Sequence, residues 1–316
     1  MKKILITGAT GLVGSEIMRI CSLRNIKVNY LTTRKDKIEN SDSVRGYLWN
    51  PSKYEIDKSC LHGVDAIINL AGVSVAKKWT PKYKKTILKS RIDSLQTLKL
   101  LLEDQKDHTV KSLVSASAIG FYPSSLTNYY SEEDSKGDSF LAEVVTKWEA
   151  SADEFKELGL EVTKIRIGIV LSEKGGALPQ IAKPIKFYAG APLGSGEQWQ
   201  SWIHITDLAE MFLFVLNKNV SGIYNAVAPN PVTNTKLTRE VASALKKPIV
   251  LPNIPEWTLK LILGEMADIL FESQRVSCKK IESLGFNFTH TNISGALSDI
   301  LADNTELAST NEFVSR

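Results

Sequence analysis

Lys3-Ile4-Leu5-Ile6-Thr7-Gly8-Ala9-Thr10-Gly11-Leu12-Val13-Gly14 is the stretch whose reading decides the fold. Its apolar run does not alternate with polar residues, which suits a strand buried on both faces of a parallel sheet. The run ends at a glycine, and Val13, Ile17, Ile20 and Cys21 then recur at helical spacing. Glycines 8, 11 and 14 therefore lie between a strand and a helix. Gly8 permits a tight turn, Gly11 lets backbone approach a pyrophosphate, and Gly14 lets the helix pack closely on the sheet. Free N–H groups at the helix start then attract the anion. The alternative is a glycine-rich turn without a ligand.

Working outward, strands are expected at Val28–Leu31, Tyr47–Trp49, Ala66–Leu70, Ser112–Ser115 and Val162–Ile167. Thr80-Pro81 reads as the start of a long helix with Ile87, Leu88, Ile92, Leu95, Leu98, Leu101 and Leu102 on its core stripe. Asp138-Ser139 reads as the cap of another, running to about Glu157. Strand–helix alternation predicts an α/β Rossmann fold with a doubly wound parallel sheet, whose ligands bind at the carboxyl ends of the strands. After Gly168 the character changes, and glycine and proline become dense over residues 175–196. The expected organisation is a dinucleotide-binding domain over 1–170, a smaller α+β lobe over 171–302 that is partly interleaved with the sheet and covers the cleft, and a frayed tail over 303–316.

The 316 residues carry 39 Lys and Arg against 35 Asp and Glu, a net charge of +4 without a basic block. That argues against a nucleic-acid partner. Cys21, Cys60 and Cys278 are odd in number and far apart, so neither a disulfide framework nor a zinc site is expected, and a reducing compartment fits. The four histidines show no metal spacing, and no metal is expected. No apolar run is long enough for a membrane span. Lys2-Lys3 before Ile4-Leu5-Ile6 imitates a signal peptide, but Glu16 and Arg19 stand where a cleavage site would belong. The expectation is a cytoplasmic protein, monomeric or homodimeric.

The end of the second strand selects the dinucleotide. An NAD site places a carboxylate there for the ribose 2′-hydroxyl; this chain has Thr32-Thr33-Arg34-Lys35. A guanidinium pairs with a 2′-phosphate and a threonine hydroxyl donates to it, so NADP(H) is expected. A solvated basic turn is the alternative.

Thr7–Gly14, Asn69-Leu70-Ala71-Gly72, Ser115-Ala116-Ser117-Ala118 and Trp202–Leu208 together resemble the extended short-chain dehydrogenase/reductases. Phe121-Tyr122, Lys147-Trp148-Glu149-Ala150, Pro192–Gly196 and Leu263-Gly264-Glu265-Met266 resemble an atypical branch of them, the NADP-binding epimerase family proteins of the 39U type. The resemblance implies that Gly8, Thr10, Gly11, Leu12 and Val13 hold the pyrophosphate, and Thr33 and Arg34 the 2′-phosphate. It implies that Leu70 and Ala71 line the adenosine and ribose side, and that Ile167 and Gly168 approach the nicotinamide. Arg91, in a Ser-Arg step of the branch, would reach the cofactor; otherwise it is a solvated charge.

The wider family moves a hydride with a serine, a tyrosine and a lysine, the last two spaced Tyr-x-x-x-Lys, because a proton must move on the oxygen as the hydride moves on carbon. Ser117 and Lys147 match, but Glu143 stands where the tyrosine belongs. Tyr122 is the nearest phenol that could replace it; a packing tyrosine with a hydrogen-bonded tip is the other reading. His204 reads as structural, Asp207 as a helix cap, and Gly190–Gly196 with Gln198 and Trp199 as a substrate loop or a plain one. Two functions stay open. One is a reductase or nucleotide-sugar-type epimerase acting on a small carbonyl or hydroxyl substrate. The other is a non-catalytic NADP(H) sensor or scaffold.

Overall fold

In the computed structural model, which describes residues 2–301, the chain divides into two compact units. The tail expected over 303–316 lies outside the described residues. The first unit comprises the chain up to Pro123 together with Glu132–Ile167 and Leu208–Ala226. Its eight-stranded sheet has the order Gly222–Ala226, Glu161–Ile167, Ser112–Ala118, Ala66–Asn69, Lys3–Thr7, Lys27–Thr32, Val44–Asn50, Glu55–Ile56. The first seven are parallel, and only the two-residue Glu55–Ile56 strand is antiparallel to its neighbour. This is the doubly wound Rossmann sheet, with the order reversing on either side of Lys3–Thr7. The seventh parallel strand, Gly222–Ala226, returns from late in the chain and was not foreseen. Its five residues open on a glycine and carry one asparagine, too weak a pattern to separate from the loops around it.

The helices form where the capping chemistry stands. Thr80 Oγ1 accepts from Tyr83 N and Pro81 fills the first position of helix Pro81–Asp104. Ser139 Oγ accepts from Ala142 N ahead of helix Phe140–Asp153. Helix Leu12–Leu23 has no side-chain cap: Gly11 occupies its N-cap position, so its first N–H groups are not answered by a capping side chain.

The second unit comprises Ser124–Ser131, Gly168–Asp207 and the chain from Val227 on. It is α+β, as expected. Three two-stranded sheets pair Ile169–Leu171 with Trp202–His204, Trp199–Gln200 with Val232–Thr233, and Tyr129–Tyr130 with Arg275–Val276. Its core gathers Leu171, Leu178, Trp202, Leu237, Val241 and Leu297. Asp207 corrects an expectation. The helix begins at Ile205 rather than Leu208, and the Asp207 carboxylate accepts from the N–H groups of Thr289 and His290. Among the described residues no helix is long and apolar enough to cross a membrane.

Gly14 sets how closely the first helix lies on the first strand. A Cβ there would stand 2.3 Å from Gly8 O and 2.6 Å from Ala9 Cα. Gly14→Ala is therefore expected to destabilise the fold by about 1–3 kcal/mol, read as a lower urea midpoint with an unchanged slope.

Candidate cofactor cleft and the buried polar network

Buried polar side chains tie the carboxyl ends of strands Lys3–Thr7 and Ala66–Asn69 to each other and to strand Ser112–Ala118. Thr7 Oγ1 donates to Asn69 Oδ1 (2.8 Å) and accepts from Leu70 N and Ala71 N (3.0 and 3.1 Å). Asn69 Nδ2 donates in turn to Ser115 Oγ (3.3 Å). Gly8, at φ +67°, faces the Leu70 backbone so closely that a Cβ would meet Leu70 C and O at 3.0 Å. A cleft of about 1180 Å³ opens along these ends within the first unit. That is above the usual range for a drug-sized ligand and suits a dinucleotide.

Of the residues expected to hold a cofactor, Gly8, Thr10, Thr33, Arg34 and Ala71 line this cleft. Gly11, Leu12 and Val13 open the helix beside it, and Leu70 bonds back to Thr7. Ile167 ends its strand in the first unit, whereas Gly168 belongs to the second. There a Cβ on Gly168 would fall 2.4 Å from Ser201 O. Arg91 is not a solvated charge. Its Nη1 donates to Val73 O and Ile87 O (3.3 and 2.9 Å), and its guanidinium lies 5.0 Å from the Trp148 ring. Burial lowers its pKa to about 10. It buttresses the Ala71-Gly72-Val73 wall from behind.

The rim holds residues that sequence reasoning missed. Lys82, Lys85 and Lys89 line the cleft from helix Pro81–Asp104, and Lys37 lies beyond Arg34. Their spacing of three and four was the available signal, a polar stripe on the same helix as the core stripe. Arg34, Lys37, Lys82, Lys85 and Lys89 are five cations against the carboxylates of Glu39 and Asp93. Arg34 is exposed, and its only ion pair among the described residues is with exposed Asp36 at 3.7 Å, too loose to immobilise it. Tyr30 pins the loop that carries these groups: its hydroxyl donates to Lys37 O and accepts from Glu39 N.

The three residues expected to carry chemistry fall in two places. Ser117 and Tyr122 join one buried network. Ser117 Oγ donates to Glu149 Oε1 at 2.5 Å, and Arg166 binds both oxygens of that carboxylate (2.8 and 3.0 Å). Arg166 Nη1 donates to the Tyr122 hydroxyl, which donates to Asn225 Oδ1. The Arg166 guanidinium also lies 3.5 Å from the Phe121 ring. Burial opposes its charge, but the hydrogen bond and charge of Glu149 prevail and raise its pKa. Burial pushes the Tyr122 hydroxyl up to about 12, against the pull of Arg166 and Asn225. Lys147 stands outside this network, on an exposed helix face, paired with Glu143 at 2.7 Å. Glu149, Arg166 and Asn225 were missed as partners, because strand pairing aligns Ser117, Arg166 and Asn225 from distant segments and helix Phe140–Asp153 lays Glu149 against them.

In the second unit, His204 and His290 stack at 3.7 Å, with Asp299 Oδ2 at 3.6 and 3.2 Å from their Nε2 atoms. Spacing along the chain did not reveal this cluster. One nitrogen of each ring and an Asp299 carboxylate oxygen lie within 4.8 Å of one another, so the three form a group that could hold a metal ion, which the sequence did not lead one to expect. Asp299 Oδ2 is within hydrogen-bond distance of His290 Nε2 and lies just beyond it from His204 Nε2.

The profile of the NAD dependent epimerase/dehydratase family matches residues 4–226, and that of a domain of unknown function, DUF1731, matches residues 254–300. The chain belongs to the NAD dependent epimerase/dehydratase family. It is 38% identical over 304 residues to an epimerase family protein of Staphylococcus aureus (strain MRSA252), covering 96% of this chain and 100% of that protein. Among solved structures it is similar to human epimerase family protein SDR39U1 (isoform 2) with NADPH. There the TM-score is 0.82 at 27% identity, over 95% of this chain and 99% of that one. It is also similar to a nucleoside-diphosphate sugar epimerase from Corynebacterium glutamicum, at TM-score 0.76 and 29% identity, over 95% of this chain and 58% of that one.

Breaking the buried pair leaves one charge unanswered. Glu149→Gln is expected to cost about 3–5 kcal/mol in urea unfolding, whereas Glu149→Leu with Arg166→Met restores most of it.

Proposed function

We propose that this family member binds NADP(H) and acts as a reductase or epimerase on a small carbonyl or hydroxyl compound. The observation that carries this reading is the cleft. A glycine turn at one end offers backbone donors for a diphosphate, and the other end carries Thr33 and Arg34 with no carboxylate where NAD would need one. The excess of cations on its rim favours the more anionic dinucleotide, and the human relative solved with NADPH agrees. Gly8, Thr10, Gly11, Leu12 and Val13 hold the diphosphate, Leu70 and Ala71 the adenosine and ribose side, and Ile167 and Gly168 the nicotinamide side. Arg91 keeps the Ala71–Val73 wall in place.

The bound dinucleotide supplies hydride chemistry. Ser117 orients the substrate oxygen, with its own hydroxyl direction set by Glu149. Tyr122 holds its proton throughout the neutral range and steadies Arg166. With glutamate at position 143, the proton that the substrate oxygen gains or loses as the hydride moves is exchanged with Tyr122, with water or with another group of the substrate. Lys147 binds the nicotinamide ribose. The protein works in the cytoplasm as a monomer or homodimer, without nucleic acid. Its three cysteines are buried, and burial raises Cys21 to about 11 and Cys60 to about 12, so these two thiols stay protonated and unreactive.

A non-catalytic NADP(H) sensor or scaffold is the second reading. It is favoured by the burial of Ser117 and Tyr122, at 2% and 1% exposure, and by the Glu143–Lys147 pair. NADPH oxidation followed across a panel of small aldehydes and ketones separates the two. Turnover that disappears in Ser117→Ala establishes the enzyme; tight NADPH binding without turnover across the panel establishes the sensor. Arg34→Ala is expected to weaken NADPH by roughly 1.5–3 kcal/mol in calorimetry and to leave NADH nearly unchanged. Equal loss for both would assign the 2′-phosphate elsewhere.

A further inference from the structure

Among the described residues three arginines are not exposed: Arg91, Arg166 and Arg275. Arg91 donates to two backbone carbonyls, and Arg166 is locked on Glu149. Arg275 has neither kind of partner. Its Nε is sealed from solvent without an acceptor, and among the described residues it forms no ion pair. Arg275 is partly exposed, and with its Nε sealed the guanidinium loses part of its hydration, a loss that an anion would offset. Part of the answer is aromatic. The guanidinium lies 4.5 Å from the Trp199 ring and 5.1 Å from the Tyr129 ring. These rings fix its plane and leave its charge unneutralised.

The clamp itself is rigidly held. Trp199 N donates to Ser273 Oγ and its Nε1 to Leu126 O, each at 3.0 Å. The strands carrying Tyr129 and Arg275 pair in register, with Tyr129 opposite Arg275. Leu126, Ser273 and Gln198, the residue before Trp199, also line a cavity of about 330 Å³ within the second unit. Gln198 Nε2 donates to the carbonyls of Leu193 and Leu270, which fixes the amide and leaves its Oε1 as an acceptor. Ser124 and Ser195 add hydroxyls to the same wall, and Glu256 adds a carboxylate that faces the hydroxylated body rather than the anion.

We propose that Arg275, clamped between Tyr129 and Trp199, is an oxyanion-binding residue. It grips the carboxylate or phosphate of a small hydroxylated molecule whose body occupies the adjoining cavity. With Nε enclosed, the two Nη groups form the fork, the geometry that binds two oxygens of a carboxylate or phosphate at once. A lysine cannot reproduce that fork. Naming this molecule as the substrate rests on the function proposed above; the anion site itself does not.

The test is nuclear magnetic resonance on the whole chain without dinucleotide, following arginine Nε–H signals. Because the Arg275 Nε–H is shielded from water, it gives an observable signal, identified by its loss in Arg275→Lys. Malonate and inorganic phosphate are titrated separately, at ionic strength held constant with sodium chloride. The expected result is a saturable shift of that signal in the millimolar range. Saturation by malonate alone identifies a carboxylate ligand, and by phosphate alone a phosphate ester; saturation by both supports the oxyanion site. Tyr129→Leu, which loosens the clamp and keeps the charge, is expected to weaken binding about tenfold. Absence of a saturable shift with either anion up to tens of millimolar, or an equal response to chloride, overturns the proposal. A protein that binds NADPH normally yet shows no anion response would sink this inference alone. One that fails to bind NADPH yet responds to malonate would sink only the cofactor reading.

Discussion

The whole arrangement depends on how closely backbone can approach backbone at the mouth of the first strand. Gly14 lies against Gly8 O at a distance that no side chain tolerates, and Gly8, at positive φ, lies tightly against Leu70. Three consequences follow. The first helix points its start at the strand ends, with no side chain capping its N–H groups. The Ala71–Val73 segment is drawn up beside that start by Thr7. The space beyond is left open for an anion, and the macrodipole of the helix favours one there.

Polar groups in the first unit divide into those that build the cleft and those that are consumed in building the fold. Arg34, Lys82, Lys85 and Lys89 remain at the surface, with at most loose surface pairs, and so are available to a ligand. Arg166, Glu149, Ser117, Tyr122 and Asn225 satisfy one another beneath it. A closed network of this kind is cooperative, and removing one member strands the rest. It also explains how a chain without the usual tyrosine still keeps its serine. Ser117 has a structural partner in Glu149, whatever its part in chemistry.

The fold was legible where the pattern was strong. The first six parallel strands and the helices starting after Gly11, Thr80 and Ser139 follow from apolar runs, glycines and caps that act locally. The strand Gly222–Ala226 and the start of the helix at Ile205 were not legible, because tertiary pairing decides them: Gly222–Ala226 forms by lying beside Glu161–Ile167. The candidate site divides in the same way. The glycine turn and Arg34 could be read from the order of residues along one segment. Glu149 as the partner of Ser117, and the clamp on Arg275, could not, since each joins residues from distant segments. Arg91 was visible as a residue, but its buttressing role needed the Val73 carbonyl to be seen in place.

The central claim is that backbone donors at Gly8–Val13 grip a diphosphate while Arg34 recognises the additional phosphate on the adenosine sugar. Titration calorimetry of the folded, ligand-stripped protein with NADPH and NADH addresses it most directly. The account predicts saturable heat with one site per chain and tighter binding of NADPH than of NADH. Heat absent with both dinucleotides at millimolar concentration, from protein shown to be folded, would contradict it.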